Sequence, residues 1–168
     1  DEAIRNATAL GPQQVTSADL RFAVRQLVEV AVRALSPGIN DPHTAMTVLN
    51  RLGTALCQMT ALSLQSGVWI KDEKIALVVP HVRYEHLVEE MFQLIRHSAA
   101  GNPAVLSHMI KVMTHVVSSE RDPMRMEIVR KHAERNVLSS SDLKGVRTCH
   151  RDFVDMVAEG PLGQFQRR

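Results

Sequence analysis

The chain has 168 residues, 45% of them hydrophobic and 23% charged, and a formal net charge of +2. That length fits one domain burying roughly 70% of its extended-chain surface, and the near-balanced charge argues against the strongly basic face of a non-specific nucleic-acid binder. Aromatics make up only 4%, with Trp69 and Tyr84 as single examples, which argues against base-stacking platforms as well.

Residues 1–10 read as the end of a helix closed by Gly11-Pro12, and Thr16 or Ser17 caps the next, with Asp19 in its first turn. Leu20, Val24, Leu27, Val28, Ala31 and Leu35 then recur at three- and four-residue steps and predict one buried face. Arg25, Glu29 and Arg33 form an i,i+4 ladder on its solvated edge. The stretch Ser36-Pro37-Gly38-Ile39-Asn40-Asp41-Pro42 stops this helix, turns the chain and starts another, with Asp41 as N-cap and Pro42 at the first helical position. The following helix is expected to run to about Gln65. Ala45, Val48, Leu49, Leu52, Leu56, Met59 and Leu62 cover its main face, widened by Met46, Ala55 and Cys57. So broad an apolar arc suits a central helix or one shared with a partner subunit.

Val68-Trp69-Ile70 and Ile75 to Val79 predict two short strands joined by a charged turn at Asp72-Glu73. A lone hairpin is marginal in water, so it must lie on the helices or pair with another edge. The next helix, about Tyr84 to His97, points Leu87, Val88, Met91, Leu94 and Ile95 inward, and Gly101 closes it. Asn102-Pro103 and Asp122-Pro123 repeat the cap-plus-proline start. The first opens a helix carrying Val105, Met109, Val112, Met113 and Val116, the second one carrying Ile128, Val129 and Val137. A last helix, about Ser141 to Ala158, buries Val146, Phe153, Val154, Val157 and Leu143, and the tail 160–168 has no periodicity and is expected to be flexible.

Cys57 and Cys149 lie far apart inside helical patterns, a spacing that forms neither a metal knuckle nor a disulfide framework. They read as reduced, mostly buried thiols of a cytosolic compartment. The chain begins at Asp1 without a signal-peptide pattern and reads as an excerpt of something longer. Its longest uncharged run, Leu52 to Ile70, has the length of a membrane span but holds Gln58, Gln65 and several hydroxyls, too polar for lipid.

Phe22-Ala23-Val24-Arg25-Gln26-Leu27-Val28-Glu29, then Ala34-Leu35-Ser36-Pro37-Gly38-Ile39-Asn40-Asp41-Pro42 and Thr44-Ala45, is similar to the soluble C-terminal part of a family of predicted bacterial membrane proteins, known as domain of unknown function 2254. The likeness continues through the Trp69 hairpin, Gln93-Leu94-Ile95-Arg96 and His132-Ala133. The resemblance implies several membrane spans ahead of this region. It also implies a place in the bacterial cell membrane for the full-length protein, and the reduced thiols are what set the expectation of a cytoplasmic side for this domain. Family members usually carry Thr where this chain has His43, which counts against His43 as an essential ligand or base.

Free amides at the start of the helix after Asp41, with the hydroxyls of Ser36 and Thr44, form a candidate site for a small anion, to which Arg25 or Arg33 would add charge. Against it, Asp41 brings a negative charge and occupies those amides itself, which makes the segment a capped structural corner. Asp41 with His43 supplies only two of the ligands a metal needs. His86, Glu89 and Glu90 share a helical turn but lack the second His of an inverted zinc-protease motif, and read as an outer polar face. His108 and His115 flank Lys111 on a face expected to be solvent. Phosphate-loop, dinucleotide and Gly-x-Ser-x-Gly patterns do not occur.

The expectation is therefore a mainly α, multi-helix bundle-like or orthogonal domain over residues 1–159, packed around the Ile39 corner with one small β-hairpin. It carries no catalytic residues, no metal and no cofactor. It is expected to act as an assembly or sensing domain through homo-oligomeric contacts, without nucleic acid. The alternative is an anion- or metal-dependent enzyme or ligand sensor centred on Ser36, Asn40, Asp41, His43 and Thr44, with Arg25 as an added charge.

Overall fold

The computed structural model describes residues 20–62, 67–78, 82–139 and 143–159. The expected first helix with its Gly11-Pro12 stop, the caps at Thr16 and Ser17, the strand end at Val79, the start of the last helix at Ser141, the Leu143 side chain and the 160–168 tail lie outside them. The described elements are α1 (Leu20–Ala34), α2 (Pro42–Met59), β1 (Val68–Lys71), β2 (Lys74–Val78), α3 (Tyr84–Ser98), α4 (Pro103–Ser119), α5 (Pro123–Leu138) and α6 (Leu143–Glu159). The fold is mainly α with one small antiparallel hairpin, as the periodicity implied.

Five helices close a circuit: α1 packs on α2, α2 on α4, α4 on α5, α5 on α3, and α3 back on α1. Helix α6 docks outside that circuit against α4 and α5. Leu49, Leu52 and Leu56 of α2, Leu87, Met91, Phe92 and Ile95 of α3, and Leu106, Met109, Ile110 and Met113 of α4 are fully enclosed. Unbranched Met91, Met109 and Met113 fill the irregular space among the branched side chains. The most surrounded helix is α4, which touches α2, α5 and α6. The broad arc of α2 is buried against α1 and α4, and its flanks Met46, Ala55 and Cys57 stay half-buried.

The three cap-plus-proline starts form as read. Thr44 N donates to Asp41 Oδ1 at 3.1 Å, Val105 N to Asn102 Oδ1 at 3.2 Å and Met124 N to Asp122 Oδ1 at 2.9 Å. Each side chain satisfies an amide that the helix leaves open, and each proline sits where its missing amide costs nothing.

Several expectations are corrected. Helix α2 ends at Met59, not near Gln65, and Leu62 is exposed. The Thr60 hydroxyl donates to Cys57 O at 2.8 Å, and Arg125 takes the freed carbonyls of Met59 and Leu62 at 3.3 and 3.1 Å. Leu20, Leu94 and Val154 face outward, because each apolar stripe is wider than the strip of helix its neighbours cover. Ile39 is exposed at the apex of its turn, so the core does not pack around it.

Helices α2 and α4 approach closely at Gly53, where a Cβ would overlap Val112 Cγ1. Beside that crossing lies an open groove of about 330 Å³, lined by Asn50, Gly53, Thr54, Cys57, Val112 and His115.

Candidate functional site

The hairpin is where the fold departs most from a closed globule. Val68 pairs with Val78, Trp69 with Leu77, Ile70 with Ile75 and Lys71 with Lys74, and Ala76 is the extra residue of a bulge on β2. Asp72 and Glu73 both take positive φ, 51° and 61°, the signature of the two-residue turn whose twist matches that of paired strands. Cross-strand partners share a face and neighbours along β1 alternate. One face therefore carries Val68, Val78, Ile70 and Ile75, and the other carries Trp69, Leu77, Lys71 and Lys74. All nine strand residues are exposed, and the two strands pack chiefly on each other.

The root of this excursion is held by Arg125. Its guanidinium closes the end of α2 through the Met59 and Leu62 carbonyls and lies 5.2 Å from the centre of the Tyr84 ring at the start of α3. Glu120 Oε2 stands 3.8 Å from Arg125 Nη1, while Glu120 Oε1 accepts from the amides of Arg121 and Asp122 at 2.9 and 3.1 Å. A cation against the open carbonyls of a helix end is the favourable sense of the dipole interaction. Burial, and next the charge of Glu120, push the Tyr84 phenol above its ordinary range.

At the Ser36–Thr44 corner the backbone closes on itself. Asn40 N donates to Ser36 O at 2.8 Å, Asp41 N to Ala34 O at 2.7 Å, and Asn40 takes a positive φ of 47°. Both oxygens of Asp41 are occupied by Thr44, whose hydroxyl donates to Oδ2 at 2.6 Å. These bonds, with that of the Thr44 hydroxyl first, hold the Asp41 carboxyl below its usual range. His43 is exposed beside it and its carbonyl accepts from the Thr47 hydroxyl at 2.9 Å. The structure thus brings Ser36, Asn40, Asp41 and Thr44 together through backbone and cap bonds. Arg25 is turned elsewhere, 3.6 Å from Glu90 of α3, and Arg33 pairs with Glu29.

Sequence reading missed a buried polar cluster between α3 and α5. Glu89 Oε2 lies 3.2 Å from His132 Nε2 and 2.9 Å from Arg135 Nη1. Arg96, His132 and Asn136 are buried, and Arg96 Nη1, His132 Nδ1 and Asn136 Oδ1 have no hydrogen-bond partner. Desolvation pushes His132 down to about 4, with Glu89 opposing the shift. Glu89 and Glu90, expected on an outer face, instead reach across to α5 and α1; Glu90 accepts from Arg21 Nε at 3.0 Å on both oxygens. His86 is exposed as expected. His108 is half-buried, not solvated, with Nε2 2.8 Å from Asn50 Oδ1. The only signal for these contacts was charged residues spaced at whole helical turns, which does not say which neighbour a helix will meet.

The family described as "Predicted membrane protein (DUF2254)" matches residues 1–115. An uncharacterised protein of Mycobacterium bovis and one of Mycobacterium tuberculosis are each 28% identical over 148 residues, which is 87% of this chain and 26% of theirs. The chain thus spans about a quarter of the length of these curated relatives. Polymerase basic protein 2 of infectious salmon anemia virus is 27% identical over 137 residues, 78% of this chain and 19% of that protein. No solved structure matches.

Proposed function

This chain belongs to the DUF2254 family of predicted membrane proteins, and from that premise we propose that it is a non-catalytic assembly or sensing module of a membrane protein, acting through contacts between copies. The observation that carries the reading is the hairpin, which exposes Val68, Trp69, Ile70, Ile75, Leu77 and Val78 to water. A two-stranded hairpin has too little of its own to bury, and a third strand or a packed face stabilises it. A neighbouring copy of the module supplies that cover.

Among the described residues no helix is long and apolar enough to cross a membrane, so this reading assigns the spans to the rest of the longer protein. Two free, half-buried cysteines support a reducing, cytoplasmic side. The Ser36–Thr44 corner supports a structural role over ligand capture. An anion there would meet a carboxylate and an amide already engaged with it. A net charge of +2 gives nucleic acid little to hold, which speaks against a nucleic-acid role for this chain.

Light scattering across a concentration series tests the proposal. Oligomers are expected, and replacing residues 68–78 by a short Gly-Ser turn returns the chain to monomer with its helical circular dichroism intact. A strict monomer at high concentration overturns the reading.

A further inference from the structure

Between α3 and α5 a positive charge is enclosed without a counter-charge of its own. Arg96 is 4% exposed, yet among the described residues its guanidinium forms no ion pair, and the buried Nη1 has no hydrogen-bond partner. Glu89 is the carboxylate that acts on it, but Glu89 Oε2 is taken by Arg135 Nη1 at 2.9 Å and His132 Nε2 at 3.2 Å. Two guanidinium groups thus share one carboxylate. Buried charges are ordinarily paired, because taking an ion out of water costs far more than taking out a neutral group.

We propose that this cluster is a binding site for hydrogen phosphate, whose oxygens accept from Arg96 and Arg135 and whose hydroxyl donates to His132 Nδ1. The site uses no residue of the hairpin and stands whether or not copies of the chain associate.

The ligand class follows from what each side chain lacks. A guanidinium carries donors only, so the missing partner of Arg96 is an acceptor. A neutral acceptor would satisfy the nitrogen and leave the charge, whereas an oxyanion answers both. His132 is 2% exposed and faces the Glu89 carboxylate through Nε2. Nε2 therefore carries the proton of the neutral ring, and the buried Nδ1 is left an acceptor without a donor. The two side chains are neighbours, since the charge of Arg96 bears on His132, and one small ligand serves both. That ligand has to accept and donate at once. Sulfate and carboxylates, fully ionised near neutral pH, have no hydrogen to give, and inorganic phosphate keeps one. Arg135 and Glu89 form the solvent-facing side of the cluster, with side chains 48% and 33% exposed, and the ligand enters as they move aside.

Isothermal titration calorimetry of the whole chain at neutral pH and constant ionic strength tests this, with inorganic phosphate, sulfate and acetate as probes. Phosphate is expected to saturate one site, with Kd at least about tenfold below that of sulfate or acetate. Arg135→Gln, a change at a half-exposed side chain, is expected to raise the phosphate Kd at least about tenfold. Arg96→Met keeps the unbranched stem, removes the unpaired charge, and is expected to fold with an equal or higher denaturation midpoint while binding no phosphate. Should Arg96→Met fail to fold, Arg135→Gln still decides. No saturable phosphate binding, or binding untouched by both Arg changes, overturns the proposal. Acetate binding as tightly as phosphate assigns the cluster to a side-chain carboxylate from elsewhere in the longer protein, and sulfate doing so removes the role of His132; either result also overturns it.

Discussion

The guanidinium of Arg125 lies 5.2 Å from the ring centre of Tyr84, and through that contact the fifth helix holds the first residue of the third. The same guanidinium donates to the carbonyls of Met59 and Leu62, 66 and 63 residues earlier in the chain. One side chain thus gathers both ends of the segment that leaves the helical body as a hairpin. A long-range contact of this sort fixes where the excursion begins and ends.

Arg125→Ala is expected to cost about 1–3 kcal/mol in urea denaturation, from the hydrogen bonds to backbone and the lost ring contact. Hydrogen exchange is expected to quicken across 59–84 before the rest of the molecule. Arg125→Lys recovers little of this, since a single ammonium does not reach two carbonyls and stack on a ring at once. Tyr84→Phe makes the opposite case: the Tyr84 hydroxyl is buried with no hydrogen-bond partner, so removing it is expected to be neutral or mildly stabilising. A loss above about 1 kcal/mol for Tyr84→Phe contradicts that account.

Gly53 sets the closeness of α2 to α4. Replacing it by Ala gains up to about 1 kcal/mol of helix propensity but drives the new methyl into Val112 Cγ1. Val112 is β-branched and buried, so it yields little. The net expectation is a loss of about 1–3 kcal/mol. Adding Val112→Ala is expected to return part of it, so a double-mutant cycle reads coupling between the two sites. Additive losses would mean that the helices simply move apart.

His132 makes stability depend on acidity. Its folded-state value, about 4, lies below the ordinary 6.5 because burial disfavours the imidazolium; Glu89 opposes the shift, while Arg135 and Arg96 add to it and the more distant Glu85 opposes them. Between those values the unfolded chain binds the proton and the folded chain does not. Stability is therefore expected to fall as pH drops from 6.5 toward 4, with a slope from this residue of at most about 1.4 kcal/mol per pH unit. Denaturation midpoints from pH 4.5 to 6.5 are expected to flatten in His132→Gln. An unchanged slope would assign the acid sensitivity elsewhere. The carboxyls of Glu90 and Glu127, held low by hydrogen bonds from Arg21 and Arg130, lose their stabilising effect only as pH falls further, below the ordinary carboxylate range.

How much could be read in advance followed the range of the interactions. Asp41, Asn102 and Asp122 each cap a helix through an amide two or three residues away, so adjacent side chains and a proline carried the whole signal. The hairpin was legible for the same reason, its turn being two residues long. The end of α2 was not legible, because apolar periodicity continues past Met59 and Arg125 decides the stop from another helix. Leu94 looked inward from its spacing, yet it is exposed, because among the described residues none covers that side of α3. Of the candidate site, the association of Ser36, Asn40, Asp41 and Thr44 was written in the loop, whereas Arg25 was drawn away by Glu90, which sits on α3.

The sequence by itself determined the helices, their capped starts and the apolar character of residues 68–78, since these rest on bonds and periodicities within a few residues. Only the tertiary structure decided that α4 lies innermost, that Arg96 and His132 are buried beside each other, and that both strands of the hairpin are left exposed. Those outcomes depend on which surfaces meet across the fold. Burial is a property of pairs of surfaces, and a one-dimensional pattern specifies each surface without naming its mate.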